Sequence, residues 1–200
     1  MRQEAEERKI LEQQRKQVEK EEEKYKNEII KVEELLSNAE DEEKIRQLNE
    51  KILELKNQLN LVEDKKEEIV KRQNGKAGYV YVISNLGSFG DNIFKVGMTR
   101  RLDPMDRVKE LGDASVPFEF DVHSFIFSED AVGLEQKLHE ILNDKRVNKI
   151  NLRKEFFEVK IEDLEKVVQD IDQSAEFNKT MLAEQYRQSL AMDSLDKLVV

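Results

Sequence analysis

The sequence predicts an α+β protein: a small antiparallel sheet flanked by helices, preceded by an α-helical coiled coil. Three observations carry this. Residues 2–72 contain neither Pro nor Gly and show apolar positions at alternating three- and four-residue spacing. Gly78 to Thr99 alternates apolar and polar residues in two short runs joined by a loop with Gly87 and Gly90. Beyond Thr99, short helical and strand patterns follow one another, each with its own capping or turn residues.

In the N-terminal region the seam runs through Ile45, Leu48, Ile52, Leu55, Leu59, Val62 and Ile69, with Lys66 occupying one expected apolar position. A weaker set, Leu11, Val18, Tyr25 and Val32, repeats every seven residues and is joined by Ile29 and Leu36. Ser37 to Asp41 breaks the register and offers capping side chains. A narrow apolar stripe cannot bury itself alone, so these helices pair, either as an antiparallel hairpin or across an oligomer. This region, 1–72, is the expected route to a homo-oligomer or protein partner. Residues 73–78 read as a linker, 79–171 as a globular domain and 172–200 as a weakly helical tail.

Asp103 and Pro104 open a short helix that Gly112 is expected to end. Phe118 to Phe127 reads as a third strand. Ser128-Glu129-Asp130 caps a helix from Ala131 to Leu142, placing Glu135 and His139 on one side. Asn143 to Lys154 is a basic loop, Glu155 to Val159 a short strand and Ile161 to Ile171 a helix.

Composition limits the function. The 200 residues carry a net charge of −10 and 39% charged side chains, against roughly 25% in an average domain. The charge is unevenly spread: residues 1–72 contribute −4, 73–160 only −1 and 161–200 the remaining −5. Within the near-neutral middle, Lys95, Arg100, Arg101, Arg107 and Lys109 form one basic cluster, and Lys145, Arg146, Lys149, Arg153 and Lys154 another. Local field governs phosphate binding more than the total does. The absence of cysteine excludes disulfides, thiolate metal sites and a thiol nucleophile, and suits a cytoplasmic setting. No apolar run approaches the ~18 residues of a membrane span.

Tyr79-Val80-Tyr81, Lys95-Val96-Gly97-Met98-Thr99, Arg107 and Glu135 occur in that order on strand, strand, helix and helix. With Glu155-Phe156-Phe157 they resemble the GIY-YIG nuclease superfamily, in particular its phage-type branch with YVY and KIG-x-T hairpins. The resemblance spans about residues 77–160. It implies a metal-dependent DNA endonuclease, placed by analogy in phage–host conflict and in the cytoplasm of a bacterium or infected host. Two positions depart from the family: Tyr79 stands for its first Gly, and Lys95 for the Tyr of its second triplet, as in some restriction-type relatives.

On this resemblance Tyr81 is the candidate base, activated by Lys95, with Tyr79 and His139 as further catalytic candidates. Arg107 binds the phosphate, and Glu135 holds Mg²⁺, or Mn²⁺ in its place, together with water. Val80, Val96 and Gly97 are motif positions that shape the hairpin. Arg100, Arg101, Arg107, Asn148 or Asn151, Arg153 and Lys154 are the expected DNA contacts. The competing expectations are a non-catalytic nucleic-acid-binding module on the same fold, or an interaction protein whose functional part is the coiled coil.

Overall fold

The computed structural model describes residues 2–196. It is α+β: two long helices, then a four-stranded antiparallel sheet flanked by helices. The chain divides into two compact units between Asn74 and Gly75.

The first unit is a helical hairpin of α1 (Arg2–Ser37) and α2 (Glu42–Asn74), which pack along one another. The break between them is built by local side chains. Ser37 Oγ and Asn38 Nδ2 both donate to the Glu34 carbonyl, and Asp41 Oδ1 accepts from the Lys44 amide as an N-cap. The antiparallel register is visible in three cross-helix ion pairs: Lys66–Glu22 at 2.6 Å, Lys26–Glu63 at 3.5 Å and Lys56–Glu33 at 3.3 Å. Leu11, Val18, Ile29, Ile52, Leu55, Val62 and Ile69 are buried, as the heptad spacing requires. Lys66 keeps its seam position by placing its ammonium on the Glu22 carboxylate, so the apolar gap is closed by charge pairing.

The second unit is organised on β1 (Gly78–Ser84), which lies between β2 (Ile93–Thr99) and β3 (Asp121–Ser128). A three-residue strand, β4 (Phe156–Glu158), joins the outer edge of β2, giving the order β3-β1-β2-β4, antiparallel throughout. β1 is almost wholly buried because both its faces are covered. Val80 and Val82 point with Phe94, Val96 and Ile126 into a core closed by α5 (Ala131–Ile141) and α6 (Ile161–Ile171), through Leu138, Leu164 and Val168. Tyr81 and Ile83 point the other way, onto Val108 of α4 (Pro104–Ser115). The alternation that marks a strand here divides two apolar layers rather than core from solvent.

Three expectations are corrected. The loop between β1 and β2 contains a single helical turn, α3 (Leu86–Phe89), capped by Asn85. α4 runs through Gly112 to Ser115: with an Asp–Pro start already in place, one glycine costs less than a full turn of hydrogen bonds. The segment after α6 is not helical until α7 (Glu184–Asp196); before that it lies along β3. There the Asn178 amide donates to the His123 carbonyl, Ser124 Oγ donates to the Glu176 carbonyl, and Asp121 accepts from the Ala183 amide. A strand edge left open would invite pairing with other chains, and this strap covers it. His123, buried beneath the strap, touches the Asn178 carbonyl through Nδ1 and Ser84 Oγ through Nε2, and stacks on Phe177. It is a packing residue.

Candidate active site

Tyr81 is the centre of the constellation. It pairs with Gly97 across β1 and β2, and its ring lies over that glycine. A Cβ at position 97 would stand 2.5 Å from the Tyr81 hydroxyl, so only glycine permits this placement. Tyr81 is 1% exposed. Burial pushes its phenol above the ordinary value, Lys95 and Arg107 pull it back, and Glu155 and Glu135 push it up again. The four charged groups that act on this hydroxyl therefore include all three of its expected companions.

Lys95 leaves β2 two residues before Gly97. Its ammonium lies 2.7 Å from Glu155 Oε2, 5.9 Å from the centroid of the Tyr81 ring and 5.6 Å from that of Phe156. Glu155 is delivered by the chain entering β4: its carbonyl accepts from the Val96 amide. Sequence reasoning used Glu155 only as part of a motif and gave it no place in the site. The signal was the adjacency of a charged residue to two phenylalanines that must pack, which fixes where its carboxylate emerges.

Arg107 projects from α4. Its Nη1 donates to Glu110 Oε1 at 3.1 Å, while its buried Nε has no hydrogen-bond partner within the protein. The other oxygen of Glu110 accepts from Arg101, so one carboxylate holds two guanidinium groups. Arg101 is thus largely buried, in an ion pair rather than at the surface.

Glu135 lies on α5, whose start is fixed by Asp130 accepting from the Gly133 amide at 2.9 Å. One turn later, His139 Nε2 meets the Val96 carbonyl at 2.9 Å, and its ring tilts onto Phe157. Burial lowers its pKa, keeping the ring neutral, so it ties α5 to β2. Tyr79 packs edge-on against Phe127 at 5.4 Å. Lys95, Arg107 and Glu135 all act electrostatically on the Tyr81 hydroxyl, while Tyr79 and His139 make packing contacts. Val80 and Val96 belong to the opposite core.

The chain portion that fits a known family is the second unit. Residues 78–172 match the T5orf172 domain. The match covers just under half of the chain and includes every residue of the constellation. It corrects the family expectation drawn from the hairpin motifs: the family model that fits is T5orf172, not GIY-YIG. No curated protein and no solved structure matches the chain.

The expected DNA contacts beyond the T5orf172-like hairpin lie in the loop between Arg146 and Glu155. Asn148 Oδ1 accepts from the amides of Ile150 and Asn151, and Asn151 Oδ1 from that of Arg153. Both asparagines thereby shape the loop from within. Arg153 and Lys154 are exposed. Among the described residues, no helix is long and apolar enough to cross a membrane.

Proposed function

We propose that residues 79–171 form a metal-dependent endonuclease that hydrolyses phosphodiester bonds in DNA. The observation that carries this reading is the Lys95–Glu155 pair, 2.7 Å apart beside the buried Tyr81 ring, with the charges of Arg107 and Glu135 also acting on its hydroxyl. The match to a T5orf172 domain agrees with a phage-associated nuclease or nucleic-acid role.

Hydrolysis forms one P–O bond to water and breaks one P–O ester bond, so a proton leaves the water and another reaches the departing oxygen. Arg107 takes a phosphate oxygen through its planar fork. Tyr81 orients the attacking water. Burial keeps the phenol protonated while Lys95 is held by Glu155. Turning Lys95 toward the phenol oxygen lets the phenol release its proton to solvent. The phenolate then takes the proton of the attacking water, and the departing oxygen takes one from solvent.

Among the described residues there is no group of three or more Asp, Glu, His or Cys side chains that could cage a metal. A single carboxylate completed by water is nevertheless the donor set that Mg²⁺ accepts, and Glu135 fits it. When bound there, Mg²⁺ or Mn²⁺ supplies charge neutralisation at the phosphate.

A second reading, a non-catalytic DNA-binding module, draws on the same burial of Tyr81, which opposes a base role. The full chain is therefore incubated with plasmid and with single-stranded DNA, in Mg²⁺, Mn²⁺ or EDTA, beside Arg107→Ala. Metal-dependent nicking that Arg107→Ala abolishes supports the enzyme. Binding without nicking under either metal favours the second reading.

A further inference from the structure

The loop from Lys145 to Lys154 holds five basic residues and no acid: Lys145, Arg146, Lys149, Arg153 and Lys154. In a chain of net charge −10 this is a segregated cation surface. At its tip Ile150 is 97% exposed, with Val147 and Leu152 more than half exposed on either side. Single surface apolar residues are ordinary, but three among cations on one loop are not explained by folding.

The loop is built rather than slack. Buried Arg146 lies 4.9 Å over the Phe157 ring and donates to Asn143 Oδ1 and to the Leu152 carbonyl, at 3.2 and 3.1 Å. The Val147 amide donates to the Phe156 carbonyl, and the Lys154 amide to that of Asn151. With the two asparagine turns, nearly every residue from 146 to 154 has a fixed backbone contact, and Ile150 stands at the apex. The loop ends at Glu155, which holds Lys95, so apex and candidate site share one continuous stretch of backbone.

The geometry points to a DNA-reading wedge: Lys149, Arg153 and Lys154 grip the phosphates of a duplex, and Ile150 enters the groove and unstacks a base step beside the scissile bond. The occupant is a duplex because its backbone presents closely spaced negative charge to match the loop's cations. Apolar side chains displayed among cations are the device by which groove-binding proteins kink DNA. A preformed apex also avoids the ordering cost of a flexible loop. This inference rests on the DNA reading for its substrate, but not on cleavage.

The test uses the full chain in EDTA with short duplexes carrying 2-aminopurine at successive positions. Wild type is expected to brighten the probe at one or a few steps. Ile150→Ser should lose that signal and weaken binding about tenfold, near the low end of what burying one isoleucine side chain is worth. Lys149→Ala should lower the slope of log affinity against log salt by about 0.9 while leaving residual unstacking. Because Ile150 is exposed, its substitution leaves folding intact. Equal brightening by Ile150→Ser and wild type overturns the wedge, even where metal-dependent nicking persists. Ile150-dependent brightening without nicking in any metal upholds the wedge and removes the enzyme. Ile150-dependent capture by anionic vesicles, with no probe response on DNA, also overturns it.

Discussion

The ammonium of Lys95 lies 2.7 Å from the carboxylate of Glu155, and this pair decides what charge Tyr81 feels. Lys95 is only 11% exposed, so its attraction to the nearest carboxylate is weakly screened. As long as the pair is closed, the lysine's charge is shared between Glu155 and the phenol, and burial dominates at Tyr81.

Glu155→Gln is therefore expected to lower the Tyr81 pKa, because it removes a group that raises it and releases one that lowers it. The ascending, acidic limb of the pH profile for nicking, which reports the base, should move to lower pH. Its cost in stability is about 1–3 kcal/mol, for a partly buried charge left unpaired. An unmoved profile with intact folding contradicts the coupling.

Gly97→Ala places a methyl 2.5 Å from the Tyr81 hydroxyl, so the ring or the strand must shift. The expected loss is about 1–3 kcal/mol in thermal or denaturant unfolding, with nicking reduced further than stability alone explains. Combining it with Tyr81→Phe should recover part of the stability, since the hydroxyl goes but the ring carbon at 2.8 Å remains. Strict additivity contradicts the close approach.

His123 is buried and His139 half-buried, and desolvation lowers both pKa values below the ordinary 6.5. The unfolded chain then binds more protons than the folded one between the folded values and 6.5, so stability falls as pH drops through this window. Unfolding midpoints recorded from pH 7.5 down to about pH 5 should decline, and His123→Gln should flatten that decline. A midpoint independent of pH across the window contradicts the neutral burial of both rings.

Leu55→Ala in the hairpin seam is expected to cost about 2–5 kcal/mol, as for buried leucines elsewhere. Hydrogen exchange should accelerate in both α1 and α2, because each helix buries its stripe on the other. Acceleration confined to α2 contradicts the pairing.

Much of this architecture was legible in local sequence. The coiled-coil seam, the Asp103–Pro104 start, the helix from Ile161 to Ile171 and the alternating hairpin each follow from spacing or capping within a few residues. What escaped depends on distant partners. The strap over β3 has no periodic pattern, because it is held by single contacts such as Asn178 to His123 and Phe177 on the same ring. The placement of Glu155 on Lys95 joins residues sixty apart, and the role of Asn148 and Asn151 as loop supports depends on backbone turns. The family expectation failed for a related reason. Short ordered motifs such as YVY and KVG-x-T describe a hairpin geometry, whereas the T5orf172 match extends over residues 78–172.

Whether Tyr81 and the charges acting on it cut DNA can be read directly. The decisive measurement is plasmid nicking by the full chain in Mg²⁺, compared among wild type, Tyr81→Phe and Glu135→Ala, with duplex binding recorded in parallel. Wild type is expected to nick, and each variant to lose at least about a hundredfold, the scale of a removed acid–base or charge-stabilising group, with binding retained. Nicking at wild-type rate in both variants would contradict that role.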